Sequence, residues 1–212
     1  MTESYNPTDR RPIAARNLAI MERIATSLAA RNITANQISI FGMASAALAF
    51  AAFIATPMST TFLPMFWIVG AAFVQLRLLA NLFDGMVAMK QGTASPIGEL
   101  YNEVPDRVSD AFILIGFGYS SGGSPELGYL AALCAVATAY VRAVGKSLTG
   151  KQDFCGPMAK QQRMFLVTAT ALFCAFFSSY PTAPTLILAV ITLGSIGTSV
   201  RRLLRIAQAL RA

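Results

Sequence analysis

The sequence contains no histidine and only three cysteines. The absence of histidine excludes imidazole acid–base catalysis, phosphohistidine intermediates and His-ligated zinc or haem. The cysteines, Cys134, Cys155 and Cys174, have neither paired nor metal-ligand spacing, so neither a disulfide framework nor a cysteine metal centre is predicted. The polar segment at residues 1–11 has no apolar core, and no cleaved signal peptide is expected.

Charged residues are also scarce. They make up 13% of the chain, whereas a soluble domain has roughly a quarter, and hydrophobic residues make up 55%. Together with a mean hydropathy of +0.55, this composition predicts a membrane protein that crosses the bilayer several times. The net charge is +7, but the Lys and Arg residues are not gathered into one basic domain. Nucleic acid is therefore not an expected partner.

The predicted fold is an all-α integral membrane domain. Residues 1–12 are expected to form a flexible N-terminus, and residues 13–212 a single domain. Apolar residues at helical spacing predict an amphipathic juxtamembrane helix at 13–31. Six predicted membrane spans lie at 37–56, 63–83, 104–119, 127–146, 161–179 and 185–204. The third helix must begin before its apolar part, and we expect its polar first half to face protein or water.

The basic residues predict the orientation of these spans. No Lys or Arg occurs in the connections near residues 57–62, 120–126 and 180–184, whereas the other loops and both terminal segments carry most of them. The positive-inside rule then places both termini, and the loop between the second and third spans, on the cytoplasmic side. No repeat of roughly 20–50 residues is evident, which argues against an inverted-repeat transporter.

Residues 81–110, here called the acidic window, contain half of the ten acidic residues of the chain. Ionisable groups at membrane depth are costly and usually mark a pathway or a reaction centre. Asn81 and Asp84 share one helix face near the end of the second span. Asn102, Asp106 and Asp110 recur every four residues, and therefore on one face, of the next helix.

Two helices that present oxygen side chains to each other predict a site for a hard cation. Magnesium binds carboxylate oxygens together with water and substrate phosphates, so we expect a phosphate-rich substrate. The metal would offset the charge of a pyrophosphate, and a spare carboxylate would accept a proton from an attacking hydroxyl. In an alternative hypothesis, these carboxylates only form structural salt bridges with Arg77, Arg107 and Arg142.

The acidic window resembles the motif of the CDP-alcohol phosphotransferase family, Asp-x-x-Asp-Gly-x-x-Ala-Arg, eight residues, then Gly-x-x-x-Asp-x-x-x-Asp. The matching residues are Asn81, Asp84, Gly85, Ala88, Met89, Gly98, Asn102 and Asp106. The eight residues from Lys90 to Ile97 keep the separation of the motif. Residues 33–39 resemble the family's Thr-Pro-Asn-x-x-Thr entry to the first span, with Ala35 in place of Pro. The resemblance covers residues 13–205.

The resemblance implies an enzyme of phospholipid synthesis in a bacterial cytoplasmic membrane, with its active site facing the cytoplasm. Such enzymes transfer a phosphatidyl group from CDP-diacylglycerol to a small alcohol, release CMP and use Mg²⁺ or Mn²⁺. The resemblance implies that Asp106 is the catalytic base and that Asn81, Asp84, Asn102 and Asp106 are metal ligands. The residues implied to bind the cytidine nucleotide are Asp84, Gly85, Ala88 and Gly98. The lipid bilayer and a second copy of the chain, in a homodimer, are implied partners.

The sequence departs from the family motif at three positions. Asn81 and Asn102 stand where the family has Asp, and Met89 stands where it has Arg. The set of four carboxylate ligands thus loses two negative charges, which disfavours holding two divalent ions together. Three hypotheses remain: a single metal suffices, Glu103 and Asp110 are recruited as ligands, or activity has been lost. The preserved spacing favours an altered but active site.

Basic residues also cluster beside the expected site. Arg77, Arg142, Lys160 and Arg163 are the candidates for binding the acceptor or its phosphate. Such a cluster would suit a phosphorylated alcohol, although cytoplasmic loops are basic in any case. The alternative functions are head-group transfer from a CDP-alcohol to a lipid hydroxyl, a catalytically silent relative that binds CDP-lipid, and a small transporter whose carboxylates form an ion path.

Overall fold

A computed structural model describes residue 16 and residues 18–94, 96–177 and 180–211, except for the side chains of residues 96, 97 and 99–101. Within these residues the chain forms seven α-helices and no β-strand, which confirms the all-α prediction. The helices are α1 (Ala19–Ala30), α2 (Ala35–Ala55), α3 (Leu63–Lys90), α4 (Pro96–Gly118), α5 (Pro125–Thr149), α6 (Lys160–Phe176) and α7 (Ala183–Ala209). A short 3-10 turn, Thr56–Met58, extends α2.

Four of these helices are long and apolar enough to cross a membrane, namely α2 with its 3-10 turn, α3, α5 and α7. The chain is therefore an integral membrane protein. The predicted count of six spans is not confirmed, because α4 begins with polar residues and α6 has only 17 residues. A straight span needs about 20 predominantly apolar residues, and neither of these two helices meets both the length and the apolar character of a span.

The amphipathic helix predicted at 13–31 is observed as α1, which is shorter. Residues 1–15 and 17 lie outside the described part of the chain, and with them the predicted flexible N-terminus. Ala25 of α1 is fully buried in a cluster with Leu82 and Val87 of α3. Glu22 forms an ion pair with Lys90 at the end of α3. These contacts hold α1 against the last turns of α3.

The start of α2 is fixed by a capping box. The Thr34 hydroxyl accepts a hydrogen bond from the Gln37 amide at 3.2 Å, and the Gln37 side chain accepts one from the Thr34 amide at 2.9 Å. Reciprocal caps of this kind satisfy two amides that the first helical turn leaves without partners. The cap fixes the start of α2, and Ser39 lies in the following turn.

Helix α2 packs between α3 and α4, which have few contacts with each other. Two glycines permit this close approach. A β-carbon on Gly70 of α3 would lie 2.4 Å from the Phe53 ring, and one on Gly116 of α4 would lie 2.7 Å from the Phe50 Cα. Small residues allow the same close packing between membrane helices in general. Helix α6 packs on α3, whereas α5 packs on α4 and α7, so α6 and α5 bring basic residues towards the acidic window.

Candidate active site

The four polar motif positions line one cavity that is open to solvent, and its volume of about 220 Å³ includes part of that open space. Asn81 and Asp84 reach it from α3, Asn102 and Asp106 from α4, and Ser39 from α2. The spacing predicts that Asn81 and Asp84 share one face of α3 and that Asn102 and Asp106 share one face of α4. In the structure these two faces line the same cavity, together with residues of α2. A ligand in this cavity, here called the first cavity, would contact oxygen side chains from three helices.

Asp84 is almost fully buried on the α2 side of the first cavity, with 4% of its surface exposed. The Ser39 hydroxyl lies 3.1 Å from Asp84 Oδ2 and 3.0 Å from Asn102 Oδ1. Because a hydroxyl has a single proton, Ser39 donates to one of these oxygens at a time. The amide of Gly85 donates to the other Asp84 oxygen at 2.5 Å. Ser39 therefore links the carboxylate of α3 to the amide of α4.

Asp106 accepts hydrogen bonds from three side chains. Arg77 Nη2 lies 2.5 Å from Asp106 Oδ1, and Asn81 Nδ2 lies 3.0 Å from both carboxylate oxygens. Lys160 Nζ donates to Asp106 Oδ2 at 2.8 Å and to Asn81 Oδ1 at 3.0 Å. The carboxylate is thus held in one orientation by groups from α3 and α6. Arg77, one of the candidates for binding phosphate, contacts Asp106 in this structure.

Asp110 lies one turn further along α4 and is buried, with 2% of its side chain exposed. Its carboxylate is 3.6 Å from Arg163, 3.7 Å from Lys160 and 3.8 Å from Arg77. These distances exceed those of hydrogen bonds, and within the described residues neither Asp110 oxygen has a hydrogen-bond partner. Asp110 therefore offsets the charge of three cations without holding any of them tightly.

Glu103, the other candidate for an additional ligand, lies outside the first cavity. Its side chain is 48% exposed and forms ion pairs with Arg107, at 2.7 Å, and with Arg142. The structural salt bridges that the sequence suggests for Arg107 and Arg142 are thus made by Glu103. Within the described part of the chain, neither of these arginines forms a salt bridge with Asp84 or Asp106.

A second cavity, also open to solvent and with a volume of about 240 Å³ that includes part of that open space, is lined mainly by basic residues. They are Arg107, Arg142, Lys160, Arg163 and Arg202, together with Thr138, Ala139 and Ala159. Three of the four predicted acceptor-binding residues therefore line this second cavity, while Arg77 lines the first. A phosphate-sized anion entering the second cavity would meet several positive groups at once.

Two of these basic residues also hold the loop between α5 and α6. Arg163 donates to the Met158 carbonyl at 2.9 Å, and Arg202 donates to the Cys155 carbonyl at 2.9 Å. Arg202 also donates to the Thr138 carbonyl of α5 at 2.7 Å. The loop is thereby held beside the second cavity, and these hydrogen bonds to carbonyl oxygens offset part of the cost of burying the two guanidinium groups.

Ser39 and Arg202 are site residues that the sequence analysis does not assign. For Ser39 a signal exists, because it occupies the last position of the segment that resembles Thr-Pro-Asn-x-x-Thr. For Arg202 the pattern gives no such signal, since a basic residue near the end of the last span fits the positive-inside rule equally well. Its role depends on the fold of the loop at 150–159, which the spacing of apolar residues does not predict.

Of the four residues predicted to contact the nucleotide, Asp84 lines the first cavity, whereas Gly85, Ala88 and Gly98 lie on α3 and α4 outside its lining. Gly85 directly follows Asp84, and Ala88 lies one turn beyond it on α3. Gly98 lies in the first turn of α4. A β-carbon on Gly85 would meet no atom within 4 Å, so the helix packing does not require glycine there. A glycine that packing does not require is consistent with close approach of a ligand.

The divalent cation predicted from the sequence does not fit the arrangement of its expected ligands. Asn81 and Asp106 already contact the ammonium of Lys160, whereas Asp84 and Asn102 contact Ser39. Two of the four side chains are neutral amides, and magnesium or manganese bound there would lie next to Lys160. No reaction step is therefore assigned to a metal in this site.

No family model matches the sequence. Among curated proteins, the chain is 22% identical to Inner membrane protein YnbA of Escherichia coli (strain K12) over 149 residues. This match covers 70% of the present chain and 72% of YnbA.

The fold is similar to crystal structures of phosphatidylinositol phosphate synthase (PgsA1) from Mycobacterium tuberculosis. The structure with CDP-DAG bound has a TM-score of 0.73 and 20% identity, and the match covers 89% of this chain and 94% of the synthase. The complex with manganese and citrate has a TM-score of 0.72 and 20% identity, with 88% of each chain covered. That synthase is a CDP-alcohol phosphotransferase, so the resemblance predicted from the sequence is confirmed for the fold.

Proposed function

We propose that this chain is a CDP-alcohol phosphotransferase that transfers the phosphatidyl group of CDP-diacylglycerol to a small phosphorylated alcohol and releases CMP. The observation that carries this proposal is the first cavity, in which Asp84 and Asp106 from two helices meet beside Arg77. Its position on a fold like that of a synthase with CDP-DAG bound supports a CDP-lipid as the donor.

The first cavity has the groups that a pyrophosphate donor requires. Arg77 can offset the charge of the diphosphate through a planar pair of N–H donors. The open face beside Gly85 gives the cytidine room to approach α3. Asp84, held by Ser39, is placed to accept hydrogen bonds from the nucleotide.

The reaction needs one new bond and one broken bond. The acceptor hydroxyl oxygen attacks the phosphorus that carries the diacylglycerol, and the bond from that phosphorus to the CMP oxygen breaks. The hydroxyl proton passes to a carboxylate, to which we assign Asp106, and CMP leaves as the phosphate monoester. Asp106 is suited to this role by its fixed orientation, because a general base must lie within hydrogen-bond reach of the proton it accepts.

The second cavity supports a phosphorylated acceptor. Arg142 and Lys160 line it, and Lys160 also contacts Asp106 of the first cavity. An acceptor whose phosphate lies in the second cavity would therefore have its hydroxyl directed towards the carboxylate. We propose that the two termini and both cavities face the cytoplasm, where phosphorylated alcohols are available.

Release of CMP from CDP-diacylglycerol by the purified protein tests this proposal. We expect turnover with glycerol phosphate or inositol phosphate, and at least tenfold less with the unphosphorylated alcohols. Asp84→Asn and Asp106→Asn should each abolish turnover, whereas Glu126→Gln, at an exposed position at the start of α5, should not. Thermal unfolding in detergent checks that each variant is folded. Turnover that survives both Asp substitutions would contradict the proposed site.

A further inference from the structure

Lys160 is buried between the two cavities, with 4% of its side chain exposed. It is the first residue of α6 and lines the second cavity. Its ammonium contacts two side chains that line the first cavity, Asn81 Oδ1 at 3.0 Å and Asp106 Oδ2 at 2.8 Å. Asp110 Oδ1 is 3.7 Å away. The ammonium thus lies among three oxygens supplied by two other helices.

Asn81 and Asp106 are two of the four positions at which the family resemblance predicts metal ligands. A magnesium ion requires oxygen ligands at about 2.0–2.1 Å in near-octahedral geometry, and it usually keeps several waters. The same two oxygens cannot hold such an ion while they accept hydrogen bonds from an ammonium, since the two cations would repel each other at contact distance. Lys160 therefore occupies the donor atoms that a metal would use.

The formal charges around the first cavity are balanced without a metal. Asp106 and Asp110 form ion pairs with three cations, Arg77, Lys160 and Arg163. The third carboxylate, Asp84, accepts hydrogen bonds from Ser39 and the Gly85 amide, and the six formal charges sum to zero. Relative to the family motif, Asn at positions 81 and 102 removes two negative charges, which is the charge of one divalent ion. The loss of two carboxylates and the buried ammonium both make the site less negative, so it attracts a divalent cation less strongly.

We propose that the Lys160 ammonium replaces a divalent cation in this site, so that the protein binds a pyrophosphate-containing ligand without a metal. The identity of the ligand as CDP-diacylglycerol rests on the proposed function, whereas the replacement of the metal does not. Lys160 meets the ligand phosphate from the α6 side and Arg77 meets it from α3. Asn81 holds the ammonium in place through its side-chain oxygen.

Titration with Mn²⁺, followed by electron paramagnetic resonance, tests the replacement directly. The full-length protein in neutral-lipid nanodiscs should show no stoichiometric Mn²⁺ site. A variant with Asn81→Asp, Asn102→Asp and Lys160→Met restores the carboxylates and removes the ammonium, and it should bind Mn²⁺. The matched control carries Asn81→Asp, Asn102→Asp and Lys151→Met. Lys151 is an exposed lysine in the loop before α6. This control should bind Mn²⁺ at least tenfold more weakly, because it keeps the Lys160 ammonium.

Binding of CDP-diacylglycerol to the wild-type protein gives a second readout. The Kd should agree within twofold between buffer with EDTA and buffer with Mn²⁺. In the Lys160→Met variant the Kd should rise at least tenfold in EDTA and recover in part when Mn²⁺ is added. Lys151→Met should leave both values unchanged.

Stoichiometric Mn²⁺ binding by the wild-type protein would overturn the replacement, and so would a tenfold loss of CDP-diacylglycerol affinity in EDTA. Equal Mn²⁺ affinity in the two triple variants would overturn it as well. The wild-type measurements decide the question even if a triple variant does not fold. Wild-type protein that binds CDP-diacylglycerol in neither buffer would contradict the proposed function. The Mn²⁺ titration would then still test whether the Lys160 ammonium replaces a divalent cation.

Discussion

Replacing Gly85 with alanine is expected to stabilise the fold and to weaken nucleotide binding at the same time. Gly85 lies inside α3, and a β-carbon there would meet no atom within 4 Å. Alanine is therefore accommodated without strain, and it removes a glycine from a helix interior, which is worth about 0.8–1 kcal/mol. For a chain of about this size, each kcal/mol raises Tm by about 2–4 °C.

Binding should change in the opposite direction. If the cytidine approaches α3 over Gly85, the added methyl group occupies the space of a contact and the ligand must move away from Asp84. We expect the Kd for CDP-diacylglycerol to rise at least tenfold, which corresponds to about 1.4 kcal/mol. Thermal unfolding without ligand and equilibrium binding in nanodiscs measure the two effects separately.

Gly197→Ala is the matched control. Gly197 lies inside α7, away from both cavities, and a β-carbon there also meets no atom within 4 Å. It should give a similar rise in Tm with an unchanged Kd. A Gly85→Ala protein that is stabilised and binds CDP-diacylglycerol as tightly as the wild type would refute the assignment of Gly85 to the nucleotide site. A destabilised Gly85→Ala protein would refute the structural part of the reasoning.

Three further predictions concern other parts of the site. Ser39→Ala should raise the Kd for CDP-diacylglycerol about tenfold, roughly 1.4 kcal/mol, because it removes a hydrogen bond that orients Asp84, whereas Ser39→Thr keeps the hydroxyl and should bind normally. Arg142→Gln should raise the KM for the acceptor more than that for the donor in steady-state assays, and equal effects would refute its placement in the second cavity. Partial burial raises the pKa of Asp153, but hydrogen bonds from Cys155 and the nearby Arg205 outweigh it, so the pKa lies below its ordinary value of 3.8. The resulting small stabilisation is complete above pH 3.8 and is lost as the pH falls below it. Asp153→Asn should therefore weaken the pH dependence of the free energy of unfolding in this acidic range. An unchanged pH dependence would argue against these contacts.

The convergence of Asp84 and Asp106 could be predicted from the sequence because it depends on local periodicity. Residues three or four apart share a helix face, and a short connection between α3 and α4 returns the second face to the level of the first. The extension of the third helix back through Asn102 follows from the same spacing, and α4 indeed begins at Pro96. The sequence pattern is therefore sufficient to predict that Asp84 of α3 and Asp106 of α4 lie close together.

The partners of these carboxylates could not be predicted in the same way. Asp106 and Lys160 are 54 residues apart, and their contact depends on how α6 packs against α3. Glu103 and Asp110 both lie near Asp106 in the sequence, yet Glu103 turns towards α5 and solvent, whereas Asp110 is buried. The direction of each side chain is set by the packing of α5 and α6 on α4, which hydrophobic periodicity does not encode.

The buried charges of the first cavity bear on whether the two Asn residues mark a lost site or an altered one. Breaking one buried ion pair costs about 3–5 kcal/mol, whereas replacing a whole buried network by apolar residues is often neutral or even stabilising. A site without a function would be free to lose Arg77, Asp106 and Lys160 together, yet all three are present and within hydrogen-bond distance of a partner. Neutral Asn at both positions, beside a buried ammonium, is the arrangement expected where the anionic ligand is kept and the metal is not. The altered motif and the buried lysine therefore have a single explanation, which the Mn²⁺ titration can refute.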